Sequence, residues 1–273
     1  MRSQSMRLDV ITYNAVMSAS ETSLQWEWAL ALLQKMQERR LQARVITYNT
    51  VISASEKGQQ WELAWDFLTA MQETDVERGV ITHNAVISAC SAGQRWERAL
   101  DLASEMSALS LELDVITCSA TISAVEKGQK WARAWSILQQ MQRRRLKPTV
   151  ITYNAVLSAS EKGQQWDIAL ALLGTMRDTS AGPDVITCDA SISACEKCRR
   201  WEQALLLLAL MPGRGLRLHR IGCSAAILAF SSSLQWQRAF SVLAEMAAEG
   251  LEPGVPIYST LLTECEQRAL LSH

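Results

Sequence analysis

Seven tryptophans stand 35 residues apart: Trp26, Trp61, Trp96, Trp131, Trp166, Trp201 and Trp236. Met36, Met71, Met106, Met141, Met176, Met211 and Met246 keep the same step, as do Ala29, Ala64, Ala99, Ala134, Ala169, Ala204 and Ala239. A fixed period without insertion means one structural unit written repeatedly, and a unit this small cannot bury a core by itself. Seven units follow, at residues 10–44, 45–79, 80–114, 115–149, 150–184, 185–219 and 220–254. An extension, residues 1–9, precedes them, and residues 255–273 read as a partial eighth unit or capping helix.

Each unit reads as two helices. Tyr153, Val156, Leu157 and Ser160 are spaced i, i+3, i+4, i+7, one face of a first helix that Gly163 and its polar neighbours end. Trp166, Ala169, Leu170, Leu173 and Met176 form the apolar stripe of a second, which places the tryptophans in the core. Thr152 is placed to cap the first helix, its hydroxyl accepting a free backbone N–H. Helix pairs that bury their faces only against neighbours give an all-α fold, a right-handed α-solenoid of stacked helix-turn-helix repeats.

Composition narrows the class. With 48% hydrophobic and 20% charged residues the chain is ordered, and no apolar run reaches the eighteen or so residues of a membrane span. The start, MRSQSMRLDV, lacks the apolar centre of a secretory signal, so an organellar address, if there is one, would lie upstream. A net charge of −1 is low for a nucleic-acid binder. Seven cysteines without a signal fit a reducing compartment. Cys195 and Cys198 form a lone CxxC, but each falls at a repeat position held elsewhere by other small residues, so neither metal nor cofactor is expected. No histidine is followed by x-Glu, and no P-loop or nucleophile elbow occurs, so no enzyme is expected. Glu56, Glu126, Glu161 and Glu196, each beside a lysine, read as surface charge at helix ends.

A second stripe on the first helix is not accounted for by packing. Ile151, Asn154, Ser158 and Lys162 share a face offset from the core stripe. Its apolar member repeats as Ile11, Ile46, Ile81, Ile116, Ile151, Ile186 and Ile221. Its polar member repeats as Asn14, Asn49, Asn84, Ser119, Asn154, Asp189 and Ser224, and its cation as Lys57, Lys127, Lys162 and Lys197. Aliphatic side chains that sandwich a flat base, a carboxamide at its edge and a cation for phosphate suit single-stranded nucleic acid. The plainer alternative is that the polar residues satisfy backbone groups near the helix start.

The period, the opening VITYN, the Ala and Met of the second helix and the junctions KPTV and GPDV resemble pentatricopeptide repeat proteins over most of the chain. Tetratricopeptide repeats have a 34-residue period and carry their Trp in the first helix. The resemblance implies single-stranded RNA as partner, about one nucleotide per repeat, with the fifth and last residues of each repeat selecting the base. The last residues are Arg44, Gly79, Asp114, Thr149, Asp184, His219 and Gly254. By resemblance, Asn84 with Asp114 and Asn154 with Asp184 prefer U and tolerate C. Asn14–Arg44 and Asn49–Gly79 keep a pyrimidine-type Asn, Ser119–Thr149 and Ser224–Gly254 lean to purine, and Asp189–His219 has no assignment. The Ile series would flank the bases and the lysines contact phosphates. An organellar monomer (chloroplast or mitochondrion) that occupies its RNA, alone or with other RNA-processing proteins, is expected, with no appended catalytic domain and no membrane association. A protein-binding scaffold is the rival reading, and a piece of a longer array is a third.

Overall fold

The computed structural model describes residues 10–22, 26–178, 182–211, 219–254, 257–259 and 262, with backbone only at 21, 22, 177 and 178. Its helices come in pairs: α1 (Val10–Thr22) with α2 (Trp26–Glu38), α3 (Val45–Lys57) with α4 (Trp61–Glu73), and α5 (Val80–Ala92) with α6 (Trp96–Ala108). They continue as α7 (Val115–Lys127) with α8 (Trp131–Arg143), α9 (Val150–Lys162) with α10 (Trp166–Asp178), α11 (Val185–Lys197) with α12 (Trp201–Leu210), and α13 (Arg220–Ser232) with α14 (Trp236–Ala248). No strand occurs among the described residues. The extension at 1–9 lies outside them, as does most of 255–273.

The chain forms two compact units. One holds α1–α7 with residues 139–146, and the other holds residues 129–138 with α9–α14. Within each, the odd-numbered helices stack side by side, α1 on α3 on α5 on α7 and α9 on α11 on α13. Helices α2, α4, α6, α10 and α12 each pack on the first helix of their own pair and on that of the next, as α4 does on α3 and α5. This is the α-solenoid arrangement of paired helices.

A thirteen-residue helix is at the margin of stability in water, so tertiary burial must hold it. Tyr153, Val156, Leu157 and Ser160 are all fully buried, as the spacing implied. On the second helices the buried set is narrower than the stripe. Ala64, Leu68 and Met71, and Ala169, Leu172, Leu173 and Met176, lie in the core, while Leu170 is only partly covered. Fully burying one such Leu or Met contributes ~1.5–3 kcal/mol. The alanines at 29, 64, 99, 134, 169, 204 and 239 are fully buried, which lets the second helix sit deep against the two first helices.

The tryptophans are not core residues. Trp61, Trp96, Trp131, Trp166 and Trp201 are half-buried, and Trp236 is 45% exposed. Each begins a second helix, and the rings of Trp26, Trp61, Trp96 and Trp131 lie against the glycine that ends the next first helix. A Cβ added to Gly58 would come within 2.4 Å of Trp26 Cδ1, and one on Gly163 within 2.3 Å of Trp131 Cδ1. The outer faces of several rings carry guanidinium groups from the following repeat: Arg95 over Trp61 at 4.7 Å, Arg200 over Trp166 at 4.8 Å and Arg238 over Trp201 at 4.3 Å.

The glycines therefore serve a purpose different from breaking the helix. Gly163 has φ −83°, ordinary for any residue, and the left-handed residue is its neighbour Gln164, at φ 55°. Gln59, Gln94, Gln129, Arg199 and Leu234 take the same conformation in the other repeats. That costs a side-chain-bearing residue about 1–2 kcal/mol. Hydrogen bonds that close the helix end offset it, such as Gln60 N–H to Ser55 O at 2.9 Å and Gln165 N–H to Ser160 O at 2.9 Å. Glycine stands before this residue because the preceding Trp leaves no room for a Cβ. Cys198 takes the equivalent position at the end of α11, where its Sγ donates to the Gln164 carbonyl at 3.1 Å.

Gly163→Ala is expected to destabilise the chain by about 1 kcal/mol, at the lower end of overpacking costs, whereas Gln164→Gly should not. Thermal unfolding of the two variants checks this. A neutral Gly163→Ala would mean that the Trp131 contact does not constrain the repeat.

Candidate functional site

The offset stripe remains outside the core. Ile11, Ile46, Ile81 and Ile116 in the first unit are 66–76% exposed, and Ile151, Ile186 and Ile221 in the second are 57–77% exposed. Large aliphatic side chains so regularly left in water leave an apolar ladder without an internal partner. Beside them Asn14, Asn49, Asn84, Ser119, Asn154 and Ser224 are half-buried, and Asp189 is buried.

Helix starts bring the last residues of the first six repeats to the head of the following first helix. Gly79, Asp114, Thr149, Asp184 and His219 are the N-caps of α5, α7, α9, α11 and α13, and Arg44 precedes α3 in the same place. Asp114 accepts the Thr117 N–H at 2.7 Å and Asp184 the Thr187 N–H at 2.8 Å, which satisfies a free donor in each first turn. In repeat five the capping is reciprocal. Thr149 Oγ1 accepts the Thr152 N–H at 3.3 Å, and Thr152 Oγ1 accepts the Thr149 N–H at 3.3 Å, so the cap is Thr149, and Thr152, expected as the cap, is its reciprocal partner in the first turn.

The fifth and last residues meet. Asn84 Nδ2 faces Asp114 Oδ1 and Asn154 Nδ2 faces Asp184 Oδ2, each at 3.5 Å, the outer edge of a hydrogen bond. His219 Nδ1 lies 2.9 Å from Asp189 Oδ2. Gly79 and Gly254 bring no side chain to a pair, and Ser224 turns its hydroxyl back to the Arg220 carbonyl at 2.5 Å. Ser224 thus serves a local backbone group, the plainer alternative for these polar residues. Asn49, Asn84 and Asn154 do not.

Those three asparagines bond forward into the next repeat, through residues that sequence reasoning did not assign to the site. Asn49 Oδ1 accepts the Thr82 hydroxyl at 2.7 Å, Asn84 Oδ1 that of Thr117 at 2.6 Å, and Asn154 Oδ1 that of Thr187 at 2.8 Å. The available signal was the recurring Ile-Thr pair, seen at Thr12, Thr47, Thr82, Thr117, Thr152 and Thr187.

The lysines end the first helices and are exposed. Lys127 Nζ donates to the Ser91 carbonyl at 3.0 Å, and Lys197 Nζ pairs with Glu161 at 2.9 Å. The adjoining glutamates are not the solvated surface charges that their position suggests. Glu56 and Glu161 are half-buried and accept the Ser88 and Ser193 hydroxyls of the following repeats, the latter at 2.7 Å. Burial pushes the Glu196 carboxyl up, with Lys197 opposing and Glu161 reinforcing the shift. Burial also pushes the Cys195 thiol up to about 12, which keeps it protonated in the core.

In the second unit the stripe opens into a cleft of about 600 Å³, bounded by Asn154, Ser158, Ile186, Asp189, His219 and Ile221. The pattern changes here in three places at once: Asp at the fifth position and His at the last of repeat six, and Gly222 in repeat seven where the other first helices carry Thr. A Cβ on Gly222 would stand 2.3 Å from Asp189 Oδ1, so threonine fits only if the Asp189 side chain moves.

Comparison with known proteins bears on these features. The profile described as a pentatricopeptide repeat domain matches residues 1–55, 31–93 and 101–163, and a second, described as a PPR repeat, matches 81–111 and 190–216. No curated protein matches the chain. The structure is similar to that of the pentatricopeptide repeat protein PPR10 from maize, with a TM-score of 0.67 at 18% identity, covering 100% of this chain and 44% of PPR10. It is also similar to PPR10 in complex with an 18-nucleotide psaJ RNA element, with a TM-score of 0.59 at 18% identity over 97% of this chain and 44% of PPR10. The PPR domain of Arabidopsis thaliana protein-only RNase P 1, in complex with tRNA, matches with a TM-score of 0.59 at 11% identity over 66% of this chain and 95% of that domain. The chain thus spans less than half the length of PPR10.

Asp189 also has a consequence for stability. Burial pushes its carboxyl above the usual range, against the hydrogen bond and charge of His219 and the Gly222 backbone, while Asp184 adds to the rise. The folded chain then holds this proton more tightly than the unfolded chain. Stability is therefore lost as pH rises from the ordinary Asp value, about 4, through the raised one. Asp189→Asn cannot ionise, so its Tm relative to the parent should rise over that window, as pH climbs above about 4. A difference that stays flat or falls across that window would contradict the burial argument.

Proposed function

Because the chain belongs to the pentatricopeptide repeat family, we propose that it binds single-stranded RNA along the offset face of its first helices, about one nucleotide per repeat. The observation that carries this is the exposed isoleucine ladder running beside paired polar groups at the fifth and last positions. A base slid between isoleucines of adjacent repeats removes apolar surface from water at ~25 cal/mol per Å². Its edge then meets the polar pair. Asn84–Asp114 and Asn154–Asp184 present a carboxamide N–H beside a carboxylate, which suits a uracil carbonyl and N3–H, and we assign U to these two repeats with C tolerated. Two similar structures, those of PPR10 and of the RNase P 1 domain, hold RNA, which supports the reading.

Lys57, Lys127, Lys162 and Lys197 are the proposed phosphate contacts. Four such contacts give a slope of about −3 in log affinity against log salt. Lys197 would exchange Glu161 for phosphate as RNA binds. Action is by occupancy: shielding, unfolding or positioning an RNA in processing, stabilisation or translation, in an organelle as the family leads us to expect.

Fluorescence anisotropy with labelled ten-mers of poly(U), poly(A), mixed RNA and the matching DNA tests this from low to physiological salt. The U-containing RNA should bind best, and changing Asn84 and Asn154 together to Ala should weaken it by about tenfold or more, as for loss of specific base contacts. Binding that ignores sequence and disappears with salt would leave only lysine contacts. No binding to any of these would reject the reading and favour a protein partner.

A further inference from the structure

In three repeats the third residue of the following repeat meets the base-facing asparagine of the repeat before it in the same way, whereas Asn14 Oδ1 is buried without such a bond. Thr82, Thr117 and Thr187 hold the carboxamide oxygens of Asn49, Asn84 and Asn154 at 2.7, 2.6 and 2.8 Å. These threonines are fully or almost fully buried, so water does not compete for their hydroxyls.

A carboxamide can face a base with its oxygen or with its nitrogen, and the two choices read opposite edges: the oxygen accepts, the nitrogen donates. Here the surroundings select one. The nitrogen of Asn84 turns toward the Asp114 carboxylate and that of Asn154 toward Asp184, at 3.5 Å. The reverse orientation would set a carbonyl against a carboxylate. The carboxylate alone holds the amide loosely at that distance, and the threonine contact to the oxygen is the shorter one. We propose that Thr117 and Thr187 are positioning residues for base selection, orienting Asn84 and Asn154 so that the carboxamide presents N–H donors to the base. Thr82 does the same for Asn49, where Gly79 supplies no carboxylate. This inference rests on the RNA reading proposed above.

The exception follows the same logic. Where the fifth residue is Asp189 there is no amide to orient, and the third residue of the next repeat is Gly222, whose place takes a Cβ only if the Asp189 side chain moves. Fifth, last and next-third residues therefore act as a set of three.

Thr117→Val with Thr187→Val removes the two hydroxyls and keeps the side-chain shape. The affinity ratio for U-containing RNA over poly(A), measured at fixed salt, should fall by about tenfold, and Thr→Ser at both places should restore it. Each hydroxyl also lies near its N-cap carboxylate, Thr117 at 2.8 Å from Asp114, so some stability will be lost as well. Thr152→Val separates the two effects. It removes an equivalent capping partner, that of Thr149, in a repeat whose predecessor has Ser119 at the fifth position and so no carboxamide to orient, and should lower Tm without changing the ratio. An unchanged ratio in the Thr117/Thr187 double variant overturns the proposal and leaves these residues as caps alone. A parent chain that binds RNA without base preference, or does not bind it, overturns the RNA reading, and this inference with it.

Discussion

The wedge of each second helix between two successive first helices is the interaction on which everything else depends. No repeat can bury Ala64, Leu68 and Met71 against its own first helix alone, and α4 needs both α3 and α5 to do so. That requirement makes stability a property of neighbours and ties the step between repeats to side-chain volume. A larger residue in place of Ala64 would lift the second helix, and a Cβ at Gly93 would push on Trp61, the ring between the two repeats.

The step in turn positions the candidate site. The fifth residue of one first helix comes level with the cap and third residue of the next only because consecutive first helices lie side by side. Asp114 and Asp184 carry two duties. Each caps a helix and forms one wall of a base-facing pair. Capping is worth about 0.5–2 kcal/mol, so loss of such an aspartate would change stability as well as recognition, and the two effects need separate readouts.

The sequence made the repeat, the helix pairs and the exposed isoleucines legible because each depends on spacing within one unit. Tyr153, Val156 and Leu157 follow the helical period and are buried, and Ile151 lies off that stripe and is exposed. What escaped depends on the next unit. Gly163 looks like a helix breaker until Trp131 is seen against it. Trp166 looks like core until its place at the rim under Arg200 is seen. Glu161 looks like surface charge until Ser193 and Lys197 are found on it. Thr187 looks like a cap partner alone until Asn154, 33 residues earlier, is found bonded to it. Contacts about one period apart leave no pattern within a helix, and only comparison between repeats shows them.

Repeat six shows what that coupling means for changing a site. Asp189 cannot simply replace an asparagine. A carboxylate there needs Gly222 beneath it, and it is covered to 6% exposure with His219 on one oxygen. Putting threonine at 222 would force the Asp189 side chain to move. Putting asparagine at 189 would leave the carboxamide oxygen without the hydroxyl that holds it in repeats two, three and five. Asp189 Oδ1 is already buried without a hydrogen-bond partner, so this network has no slack for a further unsatisfied group. Exchanging the fifth and last residues between repeats without the third residue of the following one therefore transfers the letters of a site without the hydrogen bond that orients them.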